Sequence, residues 1–211
     1  MTLDTLKVCC VLFNRNSKVH PFSRMYNEEW VEKLYRGFKR NLTVDFRFVV
    51  FVDRWRTFQE QKIVQKKLIH PPFGYHSCVE PYCTEGPMIM VGLDTVVVGN
   101  VDFLASHLDK TDRLALPTDP YHSEKACNGV ALVPKGVPEP IYRRWVQTKQ
   151  NDMELICSQP HDRIDDLFPG KVVSYKGHVL KNGLGDARIV YFHGAKKPHE
   201  IDEDFVREHW V

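Results

Sequence analysis

Residues 87–98 read PMIMVGLDTVVV, a dozen positions that are apolar throughout except for Asp94 and its neighbour Thr95. A continuous apolar run rich in β-branched residues suits a strand buried on both faces. An unpaired carboxylate inside such a run is costly, so Asp94 must be ion-paired, hydrogen-bonded or on a metal. The plainer reading is a structural Asp tied to backbone amides or a nearby Arg. Asp102, eight residues on and just past Gly99-Asn100, reads as a helix cap at Phe103.

Working outward, LKVCCVLF (6–13) and FRFVVFVD (46–53) are two more buried strands. Between them Asn14–Tyr26 is a polar loop carrying Arg15, Lys18, His20 and Arg24. A helix follows: Asn27 caps it, Glu28 and Glu29 suit its first turn, and Lys39 and Arg40 suit its last. Trp30, Leu34 and Phe38, with Val31, Tyr35 and Leu42, form its apolar stripe. RLALP (113–117), NGVALVP (128–134), VVSYK (172–176) and ARIVYFHG (187–194) are further strands. Pro138–Gln150 is a helix with Ile141, Trp145 and Val146 inward, and the tail IDEDFVREHWV a short one. Strands alternating with helices predict an α/β fold with a mixed, mostly parallel central sheet. Ligands of such sheets bind beyond the strands' carboxyl ends, which here hold Asn14, Asp53, Asp94–Thr95 and His193.

The 211 residues predict one domain spanning 1–211, with a core over about 6–200 and a short C-terminal tail. No apolar run reaches the length of a membrane span. Asp4 and the lack of a basic start before the first apolar run argue against a signal peptide. Six cysteines are too few for a disulfide scaffold, and buried reduced thiols in a cytoplasmic protein are expected. Cys9 and Cys10, adjacent on a strand, point to opposite faces. His70, His76, Cys78 and Cys83 have a loose zinc-like spacing with no second pair behind it.

The net charge of +2 hides an asymmetry. Residues 15–67 carry thirteen Lys and Arg against six Asp and Glu, a local +7, and the remainder after residue 67 is −5. Arg54-Trp55-Arg56 with Phe58 interleaves bases and aromatics, a pattern compatible with nucleic acid. Its plainer counterpart is a solvated helix face plus groups that meet phosphates.

A second chemically suggestive stretch is FHGAKKPHE (192–200). A strand ends in His193, a neutral nitrogen ligand, then Gly194, where backbone can approach a ligand, then Lys197, a point charge suited to phosphate. An exposed basic turn is the alternative.

Together these stretches resemble the GT-A-fold glycosyltransferases, above all the retaining group that includes glycogenin and the lipopolysaccharide galactosyltransferases. VGLDTVVVGNVDFL (91–104) is similar to that group's Asp-x-Asp-Thr strand with its Asn-x-Asp turn. CNGVALVP (127–134) is similar to its sugar-site strand, and His193-Gly-x-x-Lys-Pro to a shortened form of its C-terminal element. The ordered set covers roughly residues 6–200.

The resemblance implies a GT-A-like sheet and transfer of a sugar from a nucleoside-diphosphate donor, UDP foremost, to an acceptor hydroxyl with retention of configuration. It implies a divalent cation, Mn²⁺ or Mg²⁺, on Asp94 and His193. Donor contacts fall on Asn14, Asp94, Thr95, Asn128, Gly129, Gly194 and Lys197. The group's carboxylate near the reacting carbon maps to the stretch 150–170, where Asp165 and Asp162 are the candidates. Lys176 either enters the cleft or is solvated. Gly92 replaces the motif's first Asp, which puts metal dependence in question and leaves Asp102 as a substitute acid. The acceptor is a glycan, a small molecule or a nucleic acid. The competing readings are a catalytically weakened nucleic-acid-binding relative and an enzyme that glycosylates modified DNA bases.

Overall fold

The computed structural model describes residues 5–14, 21 and 24–211. Arg15, Lys18 and His20 of the expected loop lie outside the described residues. The first strand, β1 (Leu6–Leu12), lies third in a seven-stranded sheet. Its neighbours are β2 (Phe46–Val52) and β4 (Met88–Val91), both parallel to it, and β3 (Val64–Lys67) forms the edge beyond β2. On the other side the order runs β4, β7 (Val130–Val133), β6 (Leu114–Leu116), β8 (His161–Arg163). There β7 is antiparallel to both neighbours, while β8 returns to parallel against β6.

Both faces of this sheet are covered, which is why β1 and β2 read as unbroken apolar runs. Val8, Cys10 and Leu12 face one side, under helix α1 (Glu28–Asn41), which buries Trp30, Leu34 and Phe38 there. Each such buried side chain contributes roughly 1.5–3 kcal/mol. Cys9 and Val11 face the other side, with Val79 and Tyr82 of a 3₁₀ segment (Tyr75–Cys83) and with Trp145 of α3 (Pro138–Thr148). The two cysteines thus alternate as expected; both are free, and burial pushes the Cys9 thiol up to about 12. Val146 differs from expectation and is exposed. Asn27 caps α1 as read, its side chain accepting from the Trp30 amide.

The main departure lies within 87–98. That run is two strands in two sheets: β4, and β5 (Thr95–Val97), which belongs to a smaller sheet ordered β5, β10 (Ile189–Tyr191), β9 (Val172–Ser174). Gly92–Asp94 is the crossing between the sheets. Apolar periodicity cannot register this change, because both strands are buried. The shorter helices are α2 (Asp102–Leu108), α4 (Asp152–Cys157), α5 (Ile164–Leu167), α6 (Leu180–Asn182) and α7 (Asp204–His209). Of these, α7 packs Phe205 and Val206 on the small sheet, and the tail closes over α1 by Arg36 Nε donating to the Val211 carbonyl, 2.8 Å. Among the described residues no helix is long and apolar enough to cross a membrane.

Candidate active site

Strand register brings the distant motifs together. β5 and β10 are antiparallel with Thr95 opposite Tyr191, so the residue before β5 meets the residues after β10. The Phe192 amide donates to the Asp94 carbonyl, 3.2 Å, and His193 follows directly. β9 runs parallel to β10 with Ser174 opposite Tyr191, which delivers Ser174 and Lys176 to the same spot. In the large sheet Val91 stands opposite Val130, and the Gly92 amide donates to the Gly129 carbonyl, 3.0 Å. Asn128 and Gly129 therefore flank the crossing.

These residues surround a cavity of ≈ 400 Å³ bounded on its polar side by Asp94, Asn128, Gly129, Asp152, His193 and Lys197. The other walls are mostly apolar, with Val11, Met90, Tyr82 and Ile156 among them. Asp94 is buried. Its Oδ2 accepts from the Tyr26 hydroxyl, 2.9 Å, and is ion-paired with the Lys197 ammonium. Lys197 is only 2% exposed, so the pair satisfies two charges that would otherwise be stranded. Ser174 Oγ and His193 Nε2 share a hydrogen bond of 2.7 Å, and the Gly177 amide donates to the same hydroxyl oxygen, 3.0 Å. Burial, then the charges of Lys176 and Lys197, lower the His193 pKa against the opposing pull of Asp94 and Asp119. Gly194 has φ +61°, a conformation side chains disfavour, and it turns the chain from His193 toward the lysines.

Asp152, the first residue of α4, is the carboxyl that sequence reasoning passed over. Its Oδ2 accepts from Asn128 Nδ2, 2.9 Å. Burial raises its pKa, opposed by that bond and by backbone amides. It lies inside the 150–170 stretch singled out above, and its signal was the helix-capping Asn151, whose side chain accepts from the Met153 amide. The two carboxylates chosen there are elsewhere. Asp162 on the edge strand β8 pairs with Arg113 Nε, 2.7 Å. Asp165 accepts from the Thr118 amide, 2.7 Å, and neither residue lines the cavity. Both are acids that the local backbone and a neighbouring Arg already use.

Of the remaining expected donor contacts, Thr95 is buried and does not line the cavity. Asn14 lies instead by a second cavity of ≈ 510 Å³ with Arg24, Tyr26, Glu28, Arg54 and Arg56. Tyr26 belongs to both walls, so the two spaces adjoin. Here Arg56 donates to Asn14 Oδ1 and Glu28 Oε1, each 3.0 Å, and pairs with Asp53. Burial would raise the Asp53 carboxyl, but the bonds from Arg56 and from the Asn14 and Arg54 amides outweigh it and hold it below the usual range. Asp102 bonds to the Thr43 amide and hydroxyl and to Asn100, which makes it the helix-start residue of α2.

The donor set does not complete a divalent-cation site. Among the described residues no group of three or more His, Cys, Asp or Glu could hold a metal, and this includes the Cys78–Cys83 region. Asp94 is committed to an ammonium, and His193 Nε2 to a serine. At position 92 a Cβ would stand 2.9 Å from Asp94 Oδ1.

No protein-family model matches the sequence, and no curated protein matches it. Solved structures do. The glycosyltransferase GlyE of Streptococcus pneumoniae TIGR4 superposes with TM-score 0.63 at 12% identity, over 98% of this chain and 59% of GlyE. An active-site mutant of LgtC superposes with TM-score 0.56 at 9% identity, over 96% of this chain and 93% of LgtC. The chain has the GT-A fold. The bifunctional glycosyltransferase WbbM matches this GT-A architecture with TM-score 0.63 at 10% identity, over 98% of the chain. The chain spans 59% of GlyE and 50% of WbbM.

Proposed function

We propose that the chain is a glycosyltransferase that moves a sugar from a nucleoside-diphosphate donor, UDP foremost, to an acceptor hydroxyl with retention of configuration. The observation that carries this reading is convergence. Asp94, Asn128–Gly129 and His193–Lys197 lie far apart in sequence and meet around one cavity at the junction of two sheets in a GT-A fold. The Arg56–Asp53–Asn14 cluster beside it suits the nucleoside end of the donor. Lys197 at the cavity wall suits the diphosphate, where it would stabilise negative charge as it develops on the leaving group. Asn128 and Asp152 are a polar pair set into an otherwise apolar wall, and we assign them to the sugar hydroxyls. The enclosing apolar side chains exclude water from the reacting carbon.

The resemblance implies Mn²⁺ or Mg²⁺ at Asp94 and His193. The residues present leave that set incomplete, so no step here runs through a metal.

A nucleic-acid acceptor is favoured by one observation. Trp55 is 65% exposed, with Lys67 5.7 Å from its ring centroid, on the outer edge of the large sheet. Much of the remaining basic character of residues 15–67 is spent internally: Arg36 and Arg40 hold the C-terminal tail, and Arg56 is buried in ion pairs. The glycan or small-molecule acceptor therefore stands first.

The test is incubation with a panel of UDP- and GDP-sugars, with and without Mn²⁺, following release of free nucleoside diphosphate. Release by the wild type that is lost in Asp94→Ala and His193→Ala supports the reading. No release from any donor, or variants equal to wild type, overturns it.

A further inference from the structure

The features that spoil the metal site are themselves organised. A divalent cation at an oxygen and nitrogen site needs carboxylates to balance it. The crossing holds one, Asp94, and position 92 beside it is a glycine, where a Cβ would press on Asp94 Oδ1 at 2.9 Å and the carboxylate would have to shift. That one carboxylate already faces the ammonium of Lys197, which is almost wholly buried and lines the cavity. A second ammonium stands close by: Lys176 Nζ lies 3.3 Å from where a Cβ on Gly194 would be, so it occupies the space that the glycine leaves open. Lys196 is the next residue in the chain from Lys197 and adds its charge to the same turn. The groups that oppose these charges are Asp94, Glu200 and, at His193, Asp119, and Glu200 also accepts from the Lys197 amide. Two ammonium groups, on Lys176 and Lys197, are thus brought to the His193–Gly194 turn at the cavity, donors suited to an anion. The lowered Lys176 pKa, from burial and then from Lys197 and Lys196, agrees with that crowding.

We infer that Lys197 and Lys176 grip the diphosphate of the donor directly, across Gly194, in place of a divalent ion, and that Asp94 serves to position Lys197 and not to ligate metal. The inference rests on the donor reading above and deepens it. Lys197 is held in the cavity wall by its ion pair with Asp94, so its charge is fixed in place before a phosphate arrives.

The experiment is calorimetric titration of the whole chain with UDP, GDP, ADP and dTDP, once in EDTA and once in Mn²⁺. The expected result is that at least one nucleotide binds, with a Kd in EDTA within about threefold of that in Mn²⁺. Lys176→Met and Lys197→Met should each weaken binding in EDTA by about tenfold or more, the loss of one charge-assisted contact. Near-UV circular dichroism checks the fold of each variant, and Lys176→Met, whose side chain is not part of the buried pair, carries the test if Lys197→Met does not fold. In parallel, Mn²⁺ alone is titrated and read by electron paramagnetic resonance, with no site expected tighter than about 1 mM. Binding that appears only with Mn²⁺, or one Mn²⁺ per chain that Asp94→Asn abolishes, overturns the inference and leaves the donor reading standing. Unchanged affinity in a folded Lys176→Met overturns the two-lysine grip. Failure of all four nucleotides in both buffers overturns the donor reading itself, and the inference with it.

Discussion

Two clusters of opposite charge flank Tyr26, and they are built differently. In one, Arg56 reaches Asp53 three residues away, with Glu28 and Asn14 added from the neighbouring loop and helix. In the other, Lys197 meets Asp94 across 103 residues of chain, at a point where two sheets part. The first has one carboxylate open to water, Glu28, beside an Asp53 about as buried as Asp94; the second pairs a single buried ammonium with a single buried carboxylate and has no such opening. A charge pair half in water is screened, and its loss is moderate. A dry pair contributes little net stability when intact, but breaking it strands a charge. The first cluster is therefore an organiser of a loop, and the second a committed piece of the cavity wall.

The largest expected effect follows from that contrast. Lys197→Ala should destabilise the fold by about 3 kcal/mol, because Asp94 is left buried without its cation. It should also remove donor turnover, and urea denaturation with nucleotide-release assays reads both. Arg56→Ala should cost less, about 2 kcal/mol, even though the Arg56 side chain is itself buried, because Glu28 keeps access to water and Asp53 still accepts from the Asn14 and Arg54 amides. If the two variants cost the same, the distinction between a buried pair with one cation and a carboxylate held by several donors is wrong.

The pH dependence sharpens the comparison. The Asp53 carboxyl lies below the usual range in the folded chain, so the stability it contributes is fully present above the unfolded carboxylate pKa, about 3.9, and is lost as pH falls through the folded value. Asp53→Asn should flatten that acid arm in urea midpoints followed from pH 5 downward. Asp152 has the opposite sign. Its raised pKa means the folded chain binds its proton more tightly than the unfolded one, so stability declines as pH rises from the unfolded toward the folded value. Asp152→Asn should remove that decline while reducing turnover by about 10- to 100-fold, a split that a merely structural residue would not give.

In the first region the ends of α1 were legible in the sequence, but Arg56, read there as part of a nucleic-acid pattern or a solvated helix face, is instead buried in ion pairs outside any helix. Asn27, the Glu pair and the Lys-Arg pair mark the ends of α1 because capping and dipole effects act within one turn. Asp53 and Arg56 lie within one turn of chain. In contrast, nothing local shows that 87–98 changes sheets at Gly92–Asp94, or that Tyr26 and Lys197 share one carboxylate oxygen. Of the residues that the motif resemblance named, Asp94, Asn128, Gly129, His193, Gly194 and Lys197 line one cavity. It could not choose among the acids of 150–170, since Asp162, Asp165 and Asp152 differ only in what the fold sets opposite them: an Arg, a backbone amide, and a cavity with Asn128.

The smallest expected effect concerns the outer edge. Trp55→Ala should change stability by less than about 0.5 kcal/mol, since the ring is mostly in solvent. A polynucleotide mobility shift at low salt that Trp55→Ala abolishes would move the acceptor assignment to nucleic acid; no shift with wild type keeps the glycan or small-molecule acceptor first.

The central claim is that the cavity beside Asp94 and Lys197 holds a sugar nucleotide for transfer. It is tested most directly by chromatographic detection of nucleoside diphosphate released from a sugar-nucleotide panel, comparing wild type with folded Lys197→Met. The account predicts release from at least one donor by the wild type and a loss of about 100-fold or more in the variant. Release from no donor, or equal release by both proteins, would contradict it.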